Sequence, residues 1–147
     1  MSTSVIAAYE KALQERGFVS DPAQVNAIRA LERCALEWAA YKKKRSNSLK
    51  KLFVKPEIPR GVYMFGGVGR GKSFLMDCFF HAVPIQRKTR LHFHEFMREV
   101  HRELRDLQGI MNPLDELGKR MAQRYKLICF DEFHVADVTD AMVLHRL

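Results

Sequence analysis

Apolar residues recur at helical spacing from the start of the chain. Val5, Ile6, Tyr9, Ala12 and Leu13 fall on one face, and Gly17 is placed to end that helix. Asp21-Pro22-Ala23-Gln24 reads as a second helix start. Asp21 caps the free amides, Pro22 suits the first turn, and Gln24 reaches back from the third helical position. Ile28, Leu31, Ala35 and Trp38 make the apolar face behind it. The pattern breaks at YKKKRSNSLKK and VKPEIP, which read as a linker or an exposed helix end.

Beyond Pro59 the period changes. GVYMF (61–65) is short, β-prone and bounded by glycines, and predicts a buried strand. A glycine-rich loop follows at once. KSFLMDCFFHAV (72–83) is apolar on most sides and predicts a buried helix ended by Pro84. TRLHFH (89–94) predicts a second strand, and Glu95 to Gln108 a helix with Phe96, Val100, Leu104 and Leu107 on one face and Gly109 beyond it. Asn112-Pro113 caps a further helix carrying Leu114, Leu117 and Met121. YKLICFDEF (125–133) predicts a third strand that turns abruptly acidic, and Asp137 an N-cap for VTDAMVLHRL. Strands alternating with helices imply an α/β fold, a parallel sheet flanked by helices and preceded by a helical N-terminal segment.

The chain has 147 residues, the size of one domain, and at 47% hydrophobic residues it can build a core. Cys34, Cys78 and Cys129 are far apart and form no C-x-x-C pair, which fits a reducing compartment better than a disulfide framework or a zinc site. There is no apolar run of membrane-spanning length, no signal peptide and no transit peptide, so a cytoplasmic protein is expected. The formal charge of +8 is local. Residues 41–60 hold eight basic side chains and one acid, Glu57, and so account for +7 of it. The Lys42–Lys51 run suits nucleic acid, an anionic membrane or an acidic protein. Without interleaved aromatic residues, a solvated linker is the preferred reading. His92 and His94, on one strand face, show no metal-ligand spacing and read as packing or pocket-lining groups.

The candidate chemistry begins at the loop. Gly66-Gly67-Val68-Gly69-Arg70-Gly71-Lys72-Ser73 satisfies G-x-x-x-x-G-K-[ST] between a predicted strand and a predicted helix. The glycines allow positive φ and turn main-chain amides toward a phosphate, with the helix's positive end aimed at the same point. Lys72 reaches the outer phosphates, and the Ser73 hydroxyl binds Mg²⁺. Arg70 touches phosphate or projects into solvent. Phe74 lines the base pocket or packs the helix. At the end of the third strand, Asp131 faces the metal, and Glu132, pointing the other way, is the candidate catalytic base for the water attacking the γ-phosphate. ATP rather than GTP is the nucleotide favoured by that adjacent acid.

GVYMFGGVGRGKSFLMDCFF, KTRLHFHEFMREVHREL, LICFDEFHVADVTDAMVLHRL and DPAQVNAIRALE together resemble the ZapE / AFG-like ATPase family, from about residue 21 to the end. The resemblance implies an AAA-like P-loop domain hydrolysing ATP with Mg²⁺, and ADP as product. It makes Lys72 and Ser73 the phosphate and metal residues, Asp131 the metal partner and Glu132 the catalytic acid. It also implies protein partners, FtsZ or other division-ring proteins in the bacterial branch, a peripheral position at the division site, and a homo-oligomer in the full-length form. Family members run to more than twice this length and add a sensor strand and an arginine finger. The expectation is therefore a helical segment with its basic linker over 1–55 and the N-terminal part of the ATPase domain over 56–147, with a gap at the sheet's centre. Two rival readings stay open: a helicase-loader-type, DNA-linked ATPase, and a non-catalytic partner-binding fragment.

Overall fold

The computed structural model describes residues 4–53, 55–64, 71–131 and 138–147. The chain packs as two units, Met1–Ile85 and Gln86–Leu147.

The first unit is helical. Helix α1 (Val5–Arg16) starts where the Ser4 hydroxyl accepts from the Ala7 amide at 3.0 Å. A second cap comes from the neighbouring helix α2 (Pro22–Lys44), whose Glu32 carboxylate accepts from the Val5 and Ile6 amides at 2.7 and 3.2 Å. A carboxylate there satisfies orphan donors and meets the positive end of the helix dipole. Gly17 ends α1 in the left-handed region (φ 66°), as the pattern predicts. Asp21 caps α2 through the Ala23 amide at 2.8 Å, and Pro22 occupies the first turn. Gln24, expected to reach back to the cap, has its Oε1 engaged by the Tyr9 hydroxyl at 3.0 Å. The predicted face of α2 is buried at Ile28, Leu31, Ala35 and Trp38, with Cys34 added. Its last turn carries Lys42, Lys43 and Lys44. A short helix, α3 (Ser48–Phe53), follows, with Leu49, Leu52 and Phe53 exposed. Helix α4 (Lys72–Ala82) buries Leu75, Cys78, Phe79 and Ala82 and packs against both α1 and α2.

Residues 61–64, the described part of the expected GVYMF strand, form no strand, and Tyr63 is 70% exposed. A strand exists through its neighbours' hydrogen bonds. Among the described residues the only sheet is the pair formed in the second unit.

That pair is β1 (Lys88–His92) and β2 (Leu127–Asp131), parallel, with Lys88 opposite Leu127 and His92 opposite Asp131. The first ends two residues earlier than predicted, and the second begins two residues later, at Leu127, with 132 and 133 outside the described residues. The first stops at His92 because Phe93 turns inward to begin α5 (Phe93–Asp106), where its ring meets Phe96 and Phe130. His94 is therefore helical, and the expectation that His92 and His94 share a strand face is corrected. Their rings stack instead across the strand–helix junction, with centroids 5.6 Å apart. Phe93, Phe96, Met97, Val100 and Leu107 follow the i, i+3, i+4, i+7 rule and form the core with Leu117 of α6 (Pro113–Arg124). Asn112 stands at the N-cap of α6 as expected, at φ 54°, with its carbonyl accepting from the Glu116 amide at 3.3 Å, but its side chain makes no cap hydrogen bond. Leu91, Ile128 and Phe130 pack onto this core from one sheet face, as do Val143 and Leu144 of α7 (Val138–Arg146). By strand alternation, Arg90, His92, Cys129 and Asp131 share the opposite face.

Candidate functional site

Each unit carries one half of the predicted chemistry. In the first unit, Gly71 stands at the head of α4 at φ 72°, a conformation that a glycine adopts without strain, and contributes no side-chain cap. Lys72 and Ser73 are the first two residues of the helix, and the first helical bond runs from the Leu75 amide to the Gly71 carbonyl at 3.0 Å. Gly66, Gly67, Val68, Gly69 and Arg70 lie outside the described residues.

The N-terminal helices reach this helix start. A Cβ added at Gly71 would sit 2.7 Å from the Gln24 Nε2, so the Gln24 amide occupies the space a side chain would need. The same Gln24 is held by Tyr9. Phe74 is the centre of an aromatic group. Its ring lies 5.8 Å from Tyr9 and 6.4 Å edge-on from Phe18, with the Arg16 guanidinium 5.0 Å over its face. These contacts are helix packing of the kind the sequence offered as the alternative to a base pocket. Burial pushes the Tyr9 phenol above its ordinary value, with Asp21 and Cys78 adding to the shift. Burial does the same to the Cys78 thiol against the opposing pull of Arg16, so Cys78 is a packing residue rather than a nucleophile.

In the second unit, Asp131 is the last residue of β2, and Glu132 lies outside the described residues, as do His134 and Asp137. The Asp131 carboxylate is engaged by a two-pronged fork. Arg90 Nε donates to Oδ2 at 2.8 Å and Nη2 to Oδ1 at 3.1 Å, with both side chains about four-fifths shielded. Reading the sequence missed this pair. The available signal was an arginine at the second position of TRLHFH, whose register partner, Cys129, lies two residues before Asp131. Further along, His101 Nε2 and Asp140 Oδ1 approach to 2.7 Å and tie α5 to α7.

A serine hydroxyl and a carboxylate are each hard oxygen donors of the kind Mg²⁺ takes, one or two at a time, alongside phosphates and waters; Ser73 belongs to the first unit and Asp131 to the second. Among the described residues no cluster of three or more His, Cys, Asp or Glu side chains could hold a metal by itself. Nor is any described helix long and apolar enough to cross a membrane.

Helices together with a small parallel two-stranded sheet make this a mixed α/β chain. The family model of the AFG1-like ATPases matches residues 3–147, and the chain belongs to that family. It is 54% identical to the cell division protein ZapE of Escherichia coli K12 over 88 residues, which cover 60% of this chain and 24% of ZapE. It is 32% identical to a protein of Schizosaccharomyces pombe over 97% of this chain and 39% of that one. It is 40% identical to lactation elevated protein 1 homolog B of Danio rerio over 63% of this chain and 21% of that one. The chain spans between about a fifth and two fifths of the length of these relatives. No solved structure matches it significantly.

Proposed function

We propose that this chain is the nucleotide-binding part of a Mg²⁺-dependent ATPase that acts on protein partners in bacterial cell division, at a cytoplasmic or peripheral division-site position. The observation that carries the reading is Gly71, left-handed at the head of α4 and followed directly by Lys72 and Ser73, within a chain of the AFG1-like ATPase family. The amides at the head of α4 and the Lys72 ammonium would hold phosphate oxygens. Ser73 and Asp131 would hold the metal, which when bound neutralises charge on the phosphates. Glu132 would take the proton from the attacking water. Similarity to a relative described as a cell division protein supports the division role, with FtsZ or another ring protein as the partner.

Titration with a fluorescent ATP analogue and Mg²⁺ tests this reading. Lys72→Ala should weaken binding about ten- to hundredfold, the range for losing hydrogen bonds to a charged group. Equal binding by both proteins defeats it. Glu132→Gln separates turnover from partner binding: a partner-binding fragment would keep its effect in that variant. Strongly salt-dependent binding of single-stranded DNA, lost when Lys42, Lys43 and Lys44 are replaced, would favour the DNA-linked rival.

A further inference from the structure

We propose that Arg90 is the residue that sets how readily Asp131 takes a divalent cation: its guanidinium occupies the carboxylate, and metal loading requires that it withdraw. The proposal rests on the nucleotide reading above, in which Asp131 is the metal's acidic partner.

The fork spans both carboxylate oxygens, at 2.8 and 3.1 Å. It is built into the sheet rather than formed by chance on a surface. Arg90 pairs in register with Cys129, and strand alternation puts Asp131 on the same face two residues on. Cys129, opposite Arg90 on that face, is buried. Both charged side chains are mostly shielded, at 21% and 16% exposure, which limits screening by solvent. A guanidinium bound two-pronged to a carboxylate is among the stronger polar contacts available to a protein. A magnesium ion brought to the same carboxylate, directly or through a water, must share it with a cation already in place. Two like charges a few ångströms apart repel, so the fork and the metal oppose each other. Linkage makes the opposition reciprocal: by whatever factor the metal weakens the fork, the fork weakens the metal. Arg90 thereby keeps Asp131 neutralised until a divalent cation competes for the carboxylate.

The test titrates Mg²⁺ at a fixed concentration of a fluorescent ATP analogue with the 147-residue chain, its Arg90→Gln and Arg90→Lys variants, and Asp131→Asn. The Mg²⁺ midpoint should fall about three- to tenfold in Arg90→Gln, the range for removing one partly shielded ion pair. Arg90→Lys, which keeps the charge but not the fork, should fall between that and wild type. Analogue binding in EDTA should be the same in all three, and Asp131→Asn should lose the magnesium enhancement. If Arg90→Gln does not fold, Arg90→Lys carries the test. A wild-type midpoint equal to or below that of either variant overturns the proposal. So does a melting temperature lowered equally in magnesium and in EDTA with an unmoved midpoint, which would make Arg90 a structural brace. A wild-type chain that binds no analogue at all defeats the nucleotide reading, and this one with it.

Discussion

The two units solve the same problem, holding a charged end in place, with different means. In the first, three helices do it: α1 and α2 clasp α4, and Tyr9, Arg16 and Gln24 from them, with Phe18 from their connection, converge on Gly71 and Phe74. In the second, a strand pair does it: β2 delivers Asp131 to its end, and β1 delivers Arg90 to meet it. The first unit presents a helix start, where main-chain amides face outward in the direction of the helix dipole. The second presents a strand end, where a side chain stands clear of the ladder. Helix starts suit anions, and acidic strand ends suit cations. The contrast sets a glycine-headed helix start against an acidic strand terminus, each supported by its own packing.

The largest test of that separation is a cavity in the second core. Leu117 is fully buried among Val100, Leu107 and Phe96. Leu117→Ala should cost about 2–5 kcal/mol. Hydrogen exchange should quicken across β1, β2 and α5 while α1, α2 and α4 keep their protection. Loss of protection in both units together would break the comparison.

Next in size is Gly71→Ala. A left-handed φ costs a residue with a Cβ about 1–2 kcal/mol, and the Gln24 amide must also move. Gly17→Ala provides the control. It has the same sign of φ with nothing within 4 Å, so it should show the strain alone, about 1 kcal/mol. A larger loss at Gly71 than at Gly17, read from thermal melting, would locate the Gln24 contact as a real constraint.

A smaller effect follows from the thiols. Burial raises Cys34, and it raises Cys78 as well, both in the first unit. A thiol whose folded value lies above its unfolded one contributes stability that is complete below the unfolded value. That contribution is lost as pH rises through the folded one. The first unit should therefore weaken above about pH 8.5, and Cys34→Ala with Cys78→Ala should flatten that slope. Both thiols should resist alkylation at neutral pH until the chain is unfolded. Rapid labelling at pH 7 would contradict the packing described.

The smallest effect belongs to the second unit's surface. A hydrogen bond from Arg124 to Glu103 raises the arginine above its ordinary value. Arg124 is 38% exposed, so solvent discounts the pair. Glu103→Gln should cost no more than about 1 kcal/mol and less still at high salt.

Much of this was legible along the chain because it depends on local spacing. Gly17, Asp21 and Pro22 punctuate the helices where the pattern puts them, since caps are satisfied by residues a few positions away. The apolar stripes of α2 and α5 are read correctly for the same reason: a helix presents i, i+3 and i+4 together whatever it packs on. Gly71 holds the positive φ that the loop pattern predicts for it, while Gly66 to Arg70 lie outside the described residues.

What the tertiary structure decided involves partners distant in sequence. Whether GVYMF forms a strand depends on a neighbour, and residues 61–64 form none. Whether His94 belongs to a strand depends on where Phe93 finds Phe130, a contact across 37 positions that no window along the chain contains. Arg90 and Asp131 are 41 residues apart, and only parallel register brings their charges together. Local chemistry determined the elements and the candidate loop. Packing between elements determined what each charged end meets, because hydrogen bonds and ion pairs act over a few ångströms of space and are indifferent to the length of chain between them.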